Sequence, residues 1–429
     1  MNLEQLLVTS KKTIDGPIYT FKQVREYYES VNSKNNFIVK QIGISKLTEW
    51  NFDTLKNLSH KSGRFFKVVK VKNKNYESGI LLQDELGTLG VLTCIYKDVL
   101  HFLVQFKKEP GNIISSQLSP TLQATLSNQN KVHGGNAPKY LELFENIIKE
   151  NILFRASLPE QGNRYWKKYN DNVILKGDYF EEDENYRWMT LGQIYEFSNI
   201  DNSINSCLRS VLSLLHKSEY KNIKYSEKIK NIKNMTKLQK LNNPELKNSV
   251  IDFYSEKEDK LIFENIDDKF EINGISITIE DREVSKWDQP IVFDFNLSEY
   301  VFVSILQDNK RMYLFKEMYE PGYKNGFNLG PTFTLKKTIN QNLIDNFKQI
   351  FGDATTPTLI NEFEMSEEGG RFFQTRVKHS YYEIVLNSAI NNVEGFQILD
   401  DDEVRHINNL GLLTMEARSL LFFANFIYN

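Results

Sequence analysis

The chain has 429 residues, 40% of them hydrophobic and 13% aromatic, which is enough apolar material for two domains with buried cores. Its 53 basic and 56 acidic residues give a net charge of −3, which argues against nucleic acid as the main partner because phosphate binding needs a positive field. With only Cys94 and Cys207, no signal-peptide pattern and no run of about 18 apolar residues, we expect a cytoplasmic protein without structural disulfides or membrane spans.

Apolar runs that stop at a proline–glycine pair predict β-strands in both halves of the chain. Phe102–Phe106 precedes Pro110 in the first half, and Tyr313–Phe315 precedes Pro321 in the second. Polar side chains then alternate at Gln117, Ser119, Thr121, Gln123 and Thr125. On one strand they would share a face that suits sugar hydroxyls and phosphate oxygens, or that is the exposed face of an edge strand.

Helical spacing follows these strands in each half. A helix is predicted to begin near Pro138, because a proline loses no hydrogen bond in the first turn, with apolar residues from Tyr140 to Ile148 on one face. The same spacing recurs from Ile344 to Phe351. Strands and helices together predict an α+β fold with mixed sheets.

The stretch between the two halves is rich in Lys, Asn and Glu. Lys228 to Leu246 is predicted to be a polar helical connector, and Ile275–Ile279 alternates as a half-buried strand does. We interpret this stretch as a charged linker without chemistry of its own.

The second half repeats the first. Four anchors recur in the same order and at nearly constant separation: Glu109–Gly111 as Glu320–Gly322, Pro120–Thr121 as Pro331–Thr332, Glu160–Tyr165 as Glu367–Phe372, and Arg209–Ser210 as Arg418–Ser419. With Trp50 and Trp287 taken as the start of each copy, the sequence predicts an N-terminal segment (1–44), a first repeat unit (45–216), the linker (217–284) and a second repeat unit (285–429).

Several familiar chemical signatures are missing from the sequence. It contains no glycine-rich dinucleotide fingerprint, no P-loop, no closely spaced histidine pair that would suit zinc and no nucleophile elbow. We therefore expect neither a nicotinamide cofactor nor a metal.

The segment Ser366–Phe373 is one candidate ligand loop. Its paired glycines allow close approach of the backbone to a ligand, and Arg371 offers a planar fork that can bind a diphosphate. The adjacent carboxylates and the arginine are equally typical of a structural ion pair at a turn.

Single aromatic and titratable residues add further candidates, each with a structural alternative. Trp50 and Trp287 could stack on a nucleobase or lie in the core. Glu109 and Glu320 end a strand, where a general base is plausible, although neighbouring lysines could pair with them. His133 could carry a proton or simply be a hydrogen-bonded loop residue.

Taken together, these motifs resemble one family, the NDP-hexose 2,3-dehydratases. The resemblance covers the chain from about Leu47 to its end and includes the duplication. It is carried by Glu109–Asn112, Gln117–Thr125, Ser127–Asn128, His133–Gly135, Trp188–Gln193 and Ser366–Phe372.

The resemblance implies a tandem pair of Nudix-like units in a homodimeric lyase that uses no cofactor. Its substrate would be dTDP-4-keto-6-deoxyglucose, and its product a 3,4-diketo-2,6-dideoxy sugar that an NAD(P)H-dependent 3-ketoreductase then reduces. The C4 ketone acidifies the C3 proton, so that a base can remove it and an acid can help the C2 hydroxyl to leave. The nucleotide and the final sugar are left open.

The resemblance also implies one substrate pocket in each unit. The first would contain Trp50, Thr125, Leu126, Ser127, Asn128, Gln129, Asn163 and Arg164, and the second Trp287, Ser366, Glu367, Glu368, Arg371 and Phe372. Leu126 and Gln129 stand where the family has arginine and tyrosine. Because that loss removes a diphosphate contact, we expect the second pocket to be catalytic, with Glu368, Glu320 and His133 as candidate bases in that order.

Two other functions compete with this interpretation. A Nudix-type nucleotide-sugar diphosphate hydrolase would need carboxylates that hold a metal on a helix, and Glu367–Gly370 is only a fragment of that signature. A non-catalytic nucleotide-sugar binding protein would explain the altered first pocket.

Overall fold

The computed structural model describes residues 2–34, 36–73, 76–125, 137–216, 227–238, 244–265, 268–279, 285–324, 326–336, 343–352, 357–386 and 393–428. Within these ranges the chain forms an α+β fold, and none of its helices is long and apolar enough to cross a lipid bilayer. The helices are α1 (Leu3–Lys12), α2 (Phe21–Ser33), α3 (Leu141–Glu145), α4 (Leu191–Glu196), α5 (Ser206–Leu212), α6 (Glu227–Leu238), α7 (Leu343–Phe351), α8 (Asp401–Asn409) and α9 (Met415–Ile427).

The strands build two large and two small sheets. In chain order they are β1 (Phe37–Ile42), β2 (Trp50–Phe52), β3 (Leu58–His60), β4 (Lys67–Lys72), β5 (Glu77–Leu82), β6 (Gly87–Tyr96), β7 (Val99–Lys108), β8 (Ser116–Ser119), β9 (Leu122–Thr125), β10 (Ile152–Pro159), β11 (Tyr169–Lys176), β12 (Tyr186–Met189), β13 (Glu245–Lys247), β14 (Tyr254–Ser255), β15 (Lys260–Asn265), β16 (Asp268–Ile279), β17 (Lys286–Asp294), β18 (Ser298–Gln307), β19 (Lys310–Met318), β20 (Asn328–Gly330), β21 (Phe333–Lys336), β22 (Thr358–Ser366), β23 (Arg376–Val385) and β24 (Phe396–Asp400).

The two seven-stranded sheets have the same strand order. One runs β10-β11-β6-β7-β12, with β9 on β6 and β8 on β7; the other runs β22-β23-β18-β19-β24, with β21 on β18 and β20 on β19. In the first sheet β11 is parallel to β6, and in the second β23 is parallel to β18. The strands on either side of the repeated motifs therefore occupy matching places in the two sheets.

The small sheets involve more of the chain than the linker prediction assumed. One contains β2 to β5 with β13, and the other contains β1 with β14 to β17. The strand predicted at Ile275–Ile279 is confirmed, because it lies in β16 and its three isoleucines are buried. The stretch between the halves thus supplies α6 and strands β13 to β16.

The small sheets also show that the two tryptophans are not equivalent. In each half a loop lies along one strand: Leu81 N donates to Arg164 O at 2.8 Å, and Val292 N donates to Arg371 O at 2.9 Å. These contacts match β17 with β5, whereas Trp50 lies in β2 and Trp287 in β17. The sequence comparison matched Trp50 with Trp287 because both are tryptophans. The strand pairing instead matches β17, which contains Trp287, with β5.

The alternating polar residues do not form one strand. The chain bends at Pro120, with Gln117 and Ser119 in β8 on β7, and Gln123 and Thr125 in β9 on β6. A proline cannot donate a ladder hydrogen bond, so the strand ends there. The bend places Gln117 and Gln123 against different neighbours.

The helix predicted near Pro138 is shorter than its apolar pattern. It spans Leu141–Glu145, because Tyr140 has a left-handed φ of 61° and the chain leaves the helix after Glu145. The second predicted helix is confirmed as α7, in which Phe347 is buried and Ile344 is exposed.

The Trp188–Gln193 motif is explained by helix capping. The Thr190 side chain accepts from the backbone of Gln193, whose side chain accepts from Thr190 N, at the start of α4. Asp400 and Glu403 make the same reciprocal pair at the start of α8. A motif that is distinctive in the first half is therefore replaced in the second by residues with the same hydrogen bonds.

Helices α5 and α9 lie side by side between the large sheets, and a buried arginine in each one contacts the other half. The Arg209 guanidinium donates to Ser366 O at 3.1 Å, and that of Arg418 donates to Pro159 O at 2.6 Å. Both side chains are fully buried. These crossed contacts fix the two halves together next to the loops that follow β7, β10, β19 and β22.

Candidate functional site

Two loop contacts with the same geometry join the halves. In the first junction, Glu109–Gly111 docks on Glu368–Phe372: Gly111 N donates to Gly369 O at 2.7 Å, and Gln374 N donates to Gly111 O at 2.8 Å. A Cβ atom on Gly111 would lie 1.8 Å from Phe372 O, so only glycine fits this contact.

In the second junction, Glu320–Gly322 docks on Gln161–Tyr165. Gly322 N donates to Gly162 O at 2.7 Å, and Lys167 N donates to Gly322 O at 2.9 Å. Each junction therefore combines the strand-end glutamate of one half with the glycine loop of the other half.

The first junction brings two carboxyl groups together on one amide. The side chain of Gln123, the second residue of β9, donates from Nε2 to Glu109 Oε1 at 3.2 Å and to Glu368 Oε1 at 3.2 Å. Glu109 is 5% exposed, whereas Gln123 and Glu368 are partly exposed. The pair thus lies at the edge of the interior.

The two carboxyl groups have different surroundings. Glu109 accepts from Lys107 Nζ at 2.7 Å and from Asn205 Nδ2 at 3.0 Å, contacts that stabilise a negative charge. Burial raises the pKa of Glu368 to about 8, the charge of Glu109 adds to this increase, and Arg371 and Lys107 oppose it. Glu368 therefore holds its proton at neutral pH beside a second carboxyl that is paired with a lysine, and two carboxyl groups with unlike surroundings can supply an acid and a base.

The second junction lacks these polar groups. At the positions that match Lys107, Gln123 and Asn205 it has Met318, Thr334 and Thr414. Gln161 replaces Glu368, and among the described residues its Oε1 accepts no hydrogen bond. The second junction keeps the backbone contacts of the first, but its glycine loop carries Gln161 in place of a glutamate.

Burial raises the pKa of Glu320 in the second junction to about 7. The nearby charge of Glu416 adds to the increase, while Tyr323 and Arg164 oppose it. Because the folded-state pKa lies above the unfolded value of 4.5, the stability that neutral Glu320 contributes is present below pH 4.5 and is lost as pH rises toward 7.

Replacing Glu320 with glutamine is therefore expected to flatten the pH dependence of stability. Between pH 5 and 8 the wild-type chain should lose about 2 kcal/mol more unfolding free energy than the variant, because the variant has no proton to release at this site. Urea unfolding at both pH values measures the difference. Equal losses in the two chains would show that Glu320 ionises at its ordinary pKa.

The two loop arginines are used differently. Arg164 is 3% exposed and binds Asp268 through both terminal nitrogens, at 2.6 and 2.9 Å, and Asp294 at 2.7 Å. Burial opposes ionisation of Asp268, but Arg164 and Lys336 outweigh it and lower the pKa of this carboxyl to about 2. Both terminal nitrogens of Arg164 thus bind protein carboxylates, and only Nε is without a hydrogen bond to the described residues, which leaves no donor pair for a diphosphate.

Arg371 has no such partner among the described residues. Its guanidinium lies 4.3 Å from the centre of the Phe66 ring, Nη1 donates to Gly370 O at 2.9 Å, and Nε makes no hydrogen bond within the described part of the chain. The side chain is partly exposed. Of the two loop arginines, Arg371 is the one that keeps donors for a ligand.

Several predicted substrate contacts lie in the interior. Trp50 is 6% exposed, packs 4.7 Å from Phe66 and donates from Nε1 to Asp288 O at 3.2 Å. Phe372 lies in the same apolar cluster and is 3% exposed. Trp287 is half-buried and donates from Nε1 to Gln289 Oε1 at 3.1 Å. The structure therefore does not bring the two tryptophans to one surface.

The serine and first glutamate of the second loop face the helix pair. Ser366 accepts from the Gln117 side chain at 2.5 Å and through its carbonyl from Arg209. Burial raises the pKa of Glu367 to about 7, and Arg209 opposes the increase. These two residues connect the halves behind the carboxyl pair.

Some predicted positions carry less structural information. Thr125 ends β9, two residues beyond Gln123, and Asn163 is half-buried in the second junction. Leu126, Ser127, Asn128, Gln129 and His133 lie outside the described residues, so their roles stay predictions.

The sequence missed Lys107, Gln123 and Asn205 as site residues, although Gln123 stood in the polar pattern. Their signal was available in the comparison of the halves, because each is replaced by a residue that cannot make the same contact. The repeat shows what the halves share, whereas the polar groups around Glu109 and Glu368 lie at positions where the halves differ.

A cavity of about 670 Å³ lies between α1 and α9, but it is lined by none of the predicted site residues and is separate from the carboxyl pair. In the described ranges, no three His, Cys, Asp or Glu side chains form a group that could hold a metal ion.

Comparison with known proteins matches the chain to one family profile and to relatives that share one name. A family profile described as NDP-hexose 2,3-dehydratase matches residues 21–215 and 227–423. A dTDP-4-dehydro-6-deoxy-alpha-D-glucopyranose 2,3-dehydratase of Amycolatopsis orientalis is 28% identical over 97% of this chain and 92% of its own length. One of the same name from Saccharopolyspora spinosa is 27% identical over 90% and 88%. Among solved structures, a C. elegans Ap4A hydrolase aligns with 31% of this chain and 97% of its own, at 13% identity and a TM-score of 0.22.

Proposed function

The chain belongs to the NDP-hexose 2,3-dehydratase family, and from this premise we propose that it is a hydro-lyase that removes water from C2 and C3 of dTDP-4-keto-6-deoxy-D-glucose. The relatives named for this reaction align along nearly the whole chain. The observation that carries the mechanism is the Glu109–Glu368 pair, which supplies a base and an acid in one place.

The first step is removal of the C3 proton. The C4 ketone acidifies this proton, and we assign its removal to the Glu109 carboxylate, which Lys107 and Asn205 keep in place. The electron pair of the C3–H bond moves into an enolate on C3, C4 and the C4 oxygen.

The second step is loss of the C2 hydroxyl. The enolate electrons form the C2–C3 double bond as the C2–O bond breaks, and we assign protonation of the departing oxygen to Glu368. Because burial raises its pKa to about 8, Glu368 holds a proton to donate at neutral pH. Water leaves, the 3-hydroxy enone tautomerises to the 3,4-diketone, and no electrons are exchanged with a cofactor.

We assign the diphosphate contact to Arg371, whose planar fork suits two phosphate oxygens. Arg371→Ala is expected to raise the Kd for dTDP about 10- to 100-fold, because hydrogen bonds to charged groups contribute roughly 1.5–3 kcal/mol. Calorimetry with dTDP measures the change. Arg371→Lys, which keeps the charge and loses the fork, should fall between wild type and alanine; unchanged Kd values in both variants would remove Arg371 from the site.

We also propose that the two halves are copies of one Nudix-like unit. The shared strand order of the large sheets and the reciprocal junctions support a duplication. We keep 45–216 for the first unit and propose that the second begins before residue 285, because β14 to β17 form a sheet that mirrors the one built from β2 to β5. A homodimer, and a 3-ketoreductase that consumes the product, complete the proposal.

The direct test is incubation with dTDP-4-keto-6-deoxyglucose, a 3-ketoreductase and NADPH, followed by mass spectrometry. The proposal expects a nucleotide sugar that has lost one water. Magnesium-dependent release of a nucleoside monophosphate would favour the diphosphate hydrolase instead. Binding of the substrate without any turnover would favour a non-catalytic binding protein.

A further inference from the structure

We propose that Gln123 is a positioning residue that holds Glu109 and Glu368, the base and the acid contributed by opposite halves of the chain, at a spacing that lets the acid act while the enolate persists. The proposal rests on the dehydratase function proposed above. It concerns how the second step stays linked to the first.

The geometry singles out this amide. A glutamine side-chain nitrogen has two hydrogens, and Gln123 Nε2 lies 3.2 Å from one oxygen of each carboxyl group. The backbone is held in the sheet, because β9 pairs with β6 and Gln123 lies opposite Leu89. Because the backbone of Gln123 is fixed in the sheet, its amide can hold Glu109 and Glu368 in place, although these two side chains belong to different loops.

The second junction provides an internal comparison. Thr334 lies in β21 at the position that matches Gln123, and its hydroxyl is too short to reach two separate side chains. There Glu320 lies next to Gly162, and the residue before that glycine is Gln161 rather than a glutamate. The bridging amide thus occurs at the junction whose glycine loop contributes Glu368, and it is replaced at the junction whose glycine loop contributes Gln161.

The chemistry explains why spacing between these groups matters. After Glu109 removes the C3 proton, the enolate has two fates: the proton returns to C3, or the C2–O bond breaks and Glu368 protonates the oxygen. The second fate requires the acid to be next to the C2 hydroxyl while the base is still next to C3. Loss of the bridge should therefore affect elimination more than proton removal.

Gln123→Thr, which introduces the residue of the other half, tests this inference in D₂O. We expect the rate of water loss to fall about 10²-fold, as for a misplaced catalytic group, while deuterium still enters C3 of the recovered substrate. The measured quantity is the ratio of C3 exchange to elimination, followed by NMR and mass spectrometry. Thr334→Gln at the matching position is the control and should leave this ratio at the wild-type value.

The outcomes separate the two proposals. A general loss of folded protein lowers exchange and elimination together, so an unchanged ratio in Gln123→Thr overturns the positioning role. If that variant does not fold, Gln123→Met, which has a similar length but no group that can donate to a carboxylate, is expected to raise the same ratio. If the wild-type chain shows no C3 exchange and no elimination, the dehydratase function itself is overturned.

Discussion

Replacement of Glu109 by glutamine is expected to lower kcat for water loss about 10³-fold, because a positioned general base contributes roughly 10²–10⁴ to the rate. The amide has the shape of the carboxylate but cannot accept the C3 proton. Substrate affinity should change little, since Glu109 is 5% exposed and is held by Lys107, Gln123 and Asn205 within the protein. Steady-state rates with the coupled ketoreductase, together with calorimetric binding of the substrate, measure the two effects.

Glu320→Gln is the matched comparison for Glu109→Gln. It makes the same chemical change at the equivalent strand end, where the glycine loop carries Gln161 in place of Glu368. We expect kcat of this variant to stay within a factor of about three of wild type, as for a group that is remote from the reacting atoms. If Glu320→Gln loses as much activity as Glu109→Gln, the assignment of the reaction to the first junction is wrong.

The second large effect is expected at Glu368. Glu368→Gln should lower kcat about 10²- to 10³-fold, because the leaving oxygen loses its proton donor. In wild type, burial raises the pKa of this carboxyl to about 8, so kcat/KM should be nearly constant near pH 7 and fall as pH rises through about 8. The sign follows from the role, since an acid is active only while it holds its proton.

The pH profile of the residual activity provides the check for Glu368. The alkaline decline near pH 8 should disappear in Glu368→Gln, while substrate affinity stays close to wild type. A Glu368→Gln variant that keeps the same decline would assign that titration to another group. Full activity in the variant would exclude Glu368 from the reaction altogether.

Much of the fold follows from local patterns in the sequence. The apolar runs before Pro110 and Pro321 are β7 and β19, the alternation at Ile275–Ile279 is part of β16, and the helix spacing from Ile344 to Phe351 is α7. These elements were predictable because side-chain periodicity and proline geometry act within a few residues. The lengths of the strands at Pro120 and of the helix after Pro138 were less predictable. The strand ends because proline has no N–H to donate, and the helix begins only after Tyr140, whose φ is positive.

By itself, the sequence determined the repeated motifs, the glycine loops and the family they resemble. It suggested that each half forms its own pocket, because motifs that recur in order are naturally assigned to the unit that contains them. The tertiary structure decided instead that Glu109 meets Glu368 across the halves, and that Glu320 meets the loop of the first half. The physical reason is that glycine has no Cβ and lets the backbones of the two halves approach each other closely. This contact forms between the halves, so the residue spacing within one half does not reveal it.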